Sequence, residues 1–250
     1  PETLDTQGGF YDSSTGAILW NAAAVSDFSS LPANKSGEIK FSVNIKNSFP
    51  SGGLGGRSFS VKASSRLSTP NVPSGAEGNE IAATADITTR ISTKPTFSQT
   101  AFYADPAFGS SGPLPPKTGE ETVFTVHWQI ANPGNDMSQT EVRALLPPGL
   151  IWKNIVSVGL NQPEPVYNPN KSEVVWNIGV LPQGAGLLTP KYEASFQVGI
   201  KPSIAGQTPV LLKDGRFSGT DSFTKEQIVI NALDLTADNL VDRPGEGTVQ

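Results

Sequence analysis

Residues 39–46 alternate strictly. Ile39, Phe41, Val43 and Ile45 face one way and Lys40, Ser42, Asn44 and Lys46 the other. Residues 122–130 do the same, with Phe124, Val126, Trp128 and Ile130 against Thr125, His127 and Gln129. Period-two alternation predicts a strand with one face in a core and one in water. Similar patterns predict strands at 16–21, 57–63, 81–91, 140–146, 173–178, 193–201 and 227–235. Turn signals separate them: Ser51-Gly52-Gly53, Asn132-Pro133-Gly134, Pro147-Pro148-Gly149 and Gly184-Ala185-Gly186. Apolar residues at i, i+3, i+4, i+7 are not sustained anywhere, so helix is expected to be scarce, with one short turn at Ala22–Phe28. Many short antiparallel strands joined by Gly- and Pro-rich turns predict an all-β chain of β-sandwiches.

The strands are not independent of one another. Tyr11, Trp20 and Asn21 recur 156 residues later as Tyr167, Trp176 and Asn177. Phe41, Val43, Ile45 and Lys46 recur 155 residues later as Phe196, Val198, Ile200 and Lys201. A repeat of this period is a whole domain. About 70 residues before Tyr167 have no counterpart before Tyr11, so the chain is expected to enter its first domain halfway through. The expected organisation is 1–93 as the C-terminal part of a first β-sandwich, 94–237 as a complete second one, and a polar linker or frayed end at 238–250. The boundary is placed at Thr93-Lys94-Pro95, because proline cannot continue a ladder. The incomplete first domain should expose a strand edge or apolar face, to be covered by an upstream segment or by a strand from a neighbouring subunit.

Composition narrows the function classes. Gly (25) and Pro (21) are plentiful and charged residues make up 16 %, a turn-rich profile with Trp, Phe and β-branched residues enough for a core. The net charge is −5 without a basic run, which argues against nucleic-acid and anionic-membrane partners. There is no cysteine, which removes disulfides, thiolate chemistry and cysteine metal sites together. No stretch approaches a membrane span, and no signal peptide opens the sequence.

Residues 119–181 carry a more specific signal. Gly119-Glu120 leads into Val123-Phe124-Thr125-Val126, followed by Asn132-Pro133-Gly134, Leu146-Pro147-Pro148-Gly149-Leu150, and Val175-Trp176-Asn177-Ile178-Gly179 with Leu181. This set resembles the DUF11-type repeat of prokaryotic cell-surface proteins. The string Gly112-Pro113-Leu114-Pro115-Pro116-Lys117 to His127-Trp128-Gln129-Ile130 also resembles uncharacterised surface proteins of candidate-phyla bacteria. The resemblance implies immunoglobulin-like sandwiches strung in tandem, an extracellular location, and Trp176 as a core plug. The family often has an acidic residue just before its Leu-Pro, where this chain has Ala144-Leu145.

Candidate chemistry is sparse. His127 is the single histidine, and the alternation puts it on the solvent face. No Ser–His–Asp arrangement can be argued from the sequence. Asp105, Asp136, Asp221 and Asp234 fall at loops, where calcium is a candidate partner. Without an Asp-x-Asp-x-Asp-Gly run they read as turn formers, and no cofactor is implied. Phe102, Tyr103 and Phe108 crowd one segment, either as ligand contacts for a sugar or as anchors of a strand and its loop. The expected role is structural, a stalk, coat or filament segment without enzymatic activity whose partners are neighbouring domains or like subunits. The alternative is an adhesin that binds surface glycans through those aromatics.

Overall fold

A computed structural model describes residues 4–32, 34–44, 58–75, 77–188 and 191–250. The chain divides into two compact units, residues 1–51 and 52–250. The first contains β1 (Leu4–Asp5), β2 (Phe10–Asp12), β3 (Ala17–Leu19) and β4 (Ser42–Val43), with one 3-10 turn at Ser26–Ser29. β2 and β3 form a hairpin, and β1 pairs with β4. The predicted strand 39–46 is thus reduced to two residues, and its last two positions lie outside the described residues.

The second unit opens with a ribbon of two ten-residue strands, β5 (Ser60–Thr69) and β6 (Ile81–Arg90). It continues through β7 (Thr96–Phe102), β8 (Thr122–Ala131), β9 (Met137–Leu145), β10 (Leu150–Val158), β11 (Val166–Asn168), β12 (Glu173–Leu181), β13 (Tyr192–Ile200), β14 (Val210–Asp221), β15 (Gln227–Asn231) and β16 (Leu235–Thr236). One sheet runs β10-β13-β8-β7 and the other β11-β12-β9-β14-β15, with β16 also on β14; every strand pairing is antiparallel. Their inner faces interdigitate. Phe124, Val126 and Trp128 of β8 with Phe196 and Val198 of β13 meet Val142, Trp176 and Phe217 of the other sheet, all fully buried. The all-β sandwich is as the alternation predicts, and Trp176 is in its core.

Two of the longer strands missing from the sequence reading, β10 and β14, have an interrupted period. β10 slips register between Trp152 and Val156, where Asn154 has φ 56°. β14 slips between Lys213 and Arg216, where Asp214 has φ 53°. In β14 one extra residue flips the alternation beyond it, whereas in β10 Leu150, Trp152, Val156 and Val158 stay on the core side but Asn154 breaks their row and Ile151 and Ile155 are exposed opposite, so neither strand alternates cleanly from end to end.

Two boundaries differ from expectation. Thr93-Lys94-Pro95 lies inside the second unit, with Thr93 buried. The Thr93 amide donates to Asp221 Oδ2 at 2.7 Å, and its hydroxyl donates to Asn132 Oδ1 at 2.5 Å. The Asn132 amide group donates to the carbonyls of Asn135 (2.8 Å) and Pro182 (3.2 Å). Asn135 donates to Asp221 Oδ2 and to the Ile91 carbonyl, both at 2.9 Å, and accepts from the Ser58 amide at 3.0 Å. Both feet of the ribbon are therefore held by one buried side chain. Proline ends the strand as expected, but the polar atoms around it close a knot.

The segment 238–250, read as a linker or frayed end, is instead part of the sandwich. Leu240 and Val249 are buried, and Ala101 bridges Leu240 in parallel. The Gln250 amide donates to the Pro116 carbonyl at 2.7 Å, and the Thr118 amide donates to the Gln250 carbonyl at 3.0 Å. Its polar composition concealed this because backbone groups carry much of the docking. Gly247 is required for it, since a Cβ there would stand 2.1 Å from the Ala237 carbonyl.

Replacing Asn132 by alanine leaves buried carbonyls and the Thr93 hydroxyl without their partner, and should cost about 2–3 kcal/mol in urea unfolding. A loss below about 0.5 kcal/mol, the level of an ordinary surface substitution, would show that the knot does not hold the sandwich.

Candidate functional site

The densest group of chemically capable side chains lies where the loop after β7 folds back over the outer face of β8 and β13. His127 of β8 is flanked in register by Thr100 of β7 and Ser195 of β13. The loop places Asp105 over the ring. Its own turn is fixed by the Ala107 and Phe108 amides donating to Asp105 Oδ1 at 2.8 and 3.0 Å, and by the reciprocal backbone pair Asp105–Gly109. Asp105 Oδ2 then lies 2.7 Å from His127 Nε2. On the other side, Nδ1 meets Glu193 Oε1 in a very short contact and Ser195 Oγ at 3.0 Å. Gln129 donates to Glu193 Oε2 at 2.6 Å.

The expectation of a solvent-facing His127 is corrected here. The alternation does turn the ring outward, but the 103–109 loop covers it and leaves its side chain 14 % exposed. The signal available in the sequence was Asp105-Pro106, a turn former directly after a strand carrying aromatics.

The structure does bring serine, histidine and aspartate together. Their arrangement differs from that of an activated nucleophile, in which the histidine keeps one nitrogen free to accept the serine proton. Here both ring nitrogens face carboxylates, and Ser195 Oγ itself donates to Glu193 Oε1 at 3.2 Å. Ser195 is buried as well. A ring held between two carboxylates this way clips the loop to two strands.

The predicted aromatics frame this clip, each of them half-buried. The Phe102 ring meets the imidazole edge-on, centroids 5.0 Å apart. Tyr103 packs on the core, and its hydroxyl donates to the Gly112 carbonyl at 2.6 Å. Asp242 of the docked C-terminal segment accepts the Tyr103 and Ala104 amides at 3.0 and 2.8 Å. Phe108 supplies its amide to Asp105.

Among the four acidic loop residues, Asp105 and Asp221 are buried and hydrogen-bonded as described. Asp136 accepts the Gln183 amide at 2.8 Å, and Asp234 accepts the Asp214 amide at 3.0 Å. Among the described residues no three His, Asp or Glu side chains converge as metal ligands.

A second feature was missed by the sequence reading. At the lateral opening of the sandwich, between edge strands β10 and β11, a groove is lined by Trp152, Asn154, Glu164, Pro165 and Tyr167 among others. The Trp152 and Tyr167 rings stack 5.9 Å apart, and Trp152 also leans on core Phe196. The bulge at Asn154 shapes this wall, and bulges are the features that alternation does not reveal.

No family model and no curated protein matches the sequence. Among solved structures the chain is similar to the major pilin subunit BcpA of Bacillus cereus, with 12 % identity, TM-score 0.37, and 69 % of this chain and 47 % of that one covered. It is also similar to the major pilin SpaD of Corynebacterium diphtheriae, with 14 % identity, TM-score 0.37, and 57 % and 35 % covered. A membrane-anchored protein of Corynebacterium diphtheriae follows at 10 % identity, TM-score 0.29, and 76 % and 55 % covered. The chain thus spans less than half of each pilin. Likeness at these scores carries nothing about activity.

Burial acts to raise the Asp105 carboxyl. The hydrogen bonds from His127 and from the Phe108 and Ala107 amides outweigh it and hold the group below the usual carboxylate range. Asp221 is depressed in the same way, burial being outweighed by bonds from Asn135, Thr93, Thr224 and Phe223. A depressed carboxyl contributes its full stability above its unfolded value of about 3.9, and loses it as pH falls through the lower folded value. The urea midpoint should therefore fall steeply below about pH 4, and the Asp105→Asn variant should lose part of that slope. A midpoint flat from neutral pH down to about pH 2, below the ordinary carboxylate range, would contradict it. His127→Ala should cost about 3 kcal/mol at neutral pH, because it strands a buried carboxylate, and a near-zero loss would remove the clip from the account.

Proposed function

We propose that this chain is a structural segment of a secreted, multi-domain cell-surface protein built from DUF11-type repeats, working as a spacer, coat or filament element without chemistry. One observation carries the reading. The side chains best suited to chemistry, namely His127, Ser195, Asp105, Glu193, Thr93 and Asp221, are spent on one another and on backbone amides. They fasten a loop and the base of the ribbon to a sandwich instead of converging on a solvent-filled pocket. Partners of such a segment are neighbouring domains and like subunits.

A second reading, a glycan-binding module, is favoured by the groove with the stacked Trp152 and Tyr167, where a sugar ring could lie on aromatic carbon with Asn154 and Glu164 at its hydroxyls. A glycan screen separates the two. Binding abolished by Trp152→Ala supports the groove, and binding abolished by changing Phe102, Tyr103 and Phe108 to alanine supports the loop. No binding leaves the structural reading standing alone.

Brief trypsin treatment of intact cells that make the protein, with mass spectrometry of the supernatant, tests the surface location. Peptides such as Asn154–Lys171 should be released before lysis. Recovery after lysis alone would contradict the proposal and point to an intracellular scaffold.

A further inference from the structure

The β2–β3 hairpin and the β11–β12 hairpin match in detail. Tyr11 pairs with Ile18 as Tyr167 pairs with Val174, and Asp12 pairs with Ala17 as Asn168 pairs with Glu173. The turns correspond as well. Asp12 Oδ1 accepts the Ser14 amide at 2.9 Å, and Asn168 Oδ1 accepts the Asn170 amide at 3.1 Å. Gly16 and Ser172, 156 residues apart, both have positive φ, 69° and 50°. The equivalent tryptophans are both tied back to the segment ahead of the hairpin, with Trp20 Nε1 donating to the Thr6 carbonyl at 2.9 Å and Trp176 Nε1 to the Pro163 carbonyl at 2.7 Å.

The copies part company in burial, and at core positions. Phe196 and Val198 are 0 % exposed, whereas their counterparts Phe41 and Val43 are 48 % and 44 % exposed. Trp176 is fully buried and Trp20 is half-open, with its ring 6.0 Å from Phe41. Outer positions show no such contrast: Phe10 is 70 % exposed and its counterpart Val166 is 65 % exposed. The difference is therefore a missing cover over one face. The second copy shows what that cover is. Phe196 lies in register between Val126 of β8 and Val156 of β10, against Trp128 and Trp152, and Trp176 lies beside Val142 of β9.

Resting on the reading of this chain as tandem repeats, we propose that Trp20, Phe41 and Val43 form a docking face for a leading half-repeat. The occupant is a strand segment with the alternation of residues 122–158, joined ahead of the hairpin through a short link as β10 is joined to β11 by residues 159–165. A second copy of this chain is a poor donor. Its own strands of that pattern are buried in their sandwich, and lending them would dismantle it.

The test compares the chain with an extended form in which residues 94–156 are repeated directly ahead of Pro1, restoring the 156-residue spacing. The extended chain should sediment as a monomer, and its proteolytic cleavage within residues 10–44 should slow on the order of 100-fold, as for a segment moved from local opening into a cooperative unit. Cleavage unchanged by the extension overturns the proposal. Because the grafted strands are not matched to the first copy, a second measurement uses the unextended chain. Phe41→Asp should leave its urea unfolding unchanged, while Phe196→Asp should abolish folding of the sandwich. Destabilisation by Phe41→Asp would mean the face is already closed, and a dimer that Phe41→Asp dissolves would give the face to a second copy; either result overturns it. These outcomes are independent of where cells place the protein.

Discussion

A buried carboxylate cannot be left unpaired, and Asp221 meets that constraint by gathering the chain around itself. Its two oxygens accept from Thr93, Asn135, Phe223 and Thr224, which come from the ribbon's exit, the turn after β8, and the β14–β15 turn. Asn132 completes the knot by holding the Thr93 hydroxyl and the carbonyls near Pro182. Removing any one member leaves others buried without partners, so the network is held as a whole. The ribbon stands on this knot. It is exposed along its length, and two-stranded ribbons are marginal on their own.

The opposite end of β7 is fastened by analogous means. Asp105, His127 and Glu193 clip a loop across the sheet, and Asp242 pins the same loop from the docked C-terminal segment. Polar side chains here do the work that disulfides do in cysteine-rich domains, in a chain with no cysteine. The consequence is acid sensitivity, because both fastenings rely on depressed carboxylates.

What could be read from the sequence follows the same physics. Period-two alternation located β8 and β13 because each has one face buried along its whole length, and β12 through Val174, Trp176 and Ile178, ahead of its slip at Gly179. It missed β14 because a one-residue bulge moves the apolar residues to the other face midway, and β10 because Asn154 interrupts its inner row while Ile151 and Ile155 sit on the outer one. The repeat was legible through Tyr11, Trp20 and Phe41, which recur as Tyr167, Trp176 and Phe196. The site was half legible. The aromatics Phe102, Tyr103 and Phe108 lie at the end of β7 and in the loop that covers His127, but the partners of His127 come from β13 and from that loop's return, contacts that no local pattern encodes. The tail was misread because its docking is largely made by backbone groups, which look alike in every sequence.

Native-state hydrogen exchange at neutral pH tests the central claim most directly, that two polar fastenings join the ribbon's base, the loops and the C-terminal segment to one cooperative sandwich. The account predicts that the amides of Thr93, Val241 and Gln250 exchange only with global unfolding, together with those of β8 and β13. Exchange of those three amides by local opening, well ahead of β8 and β13, would contradict it.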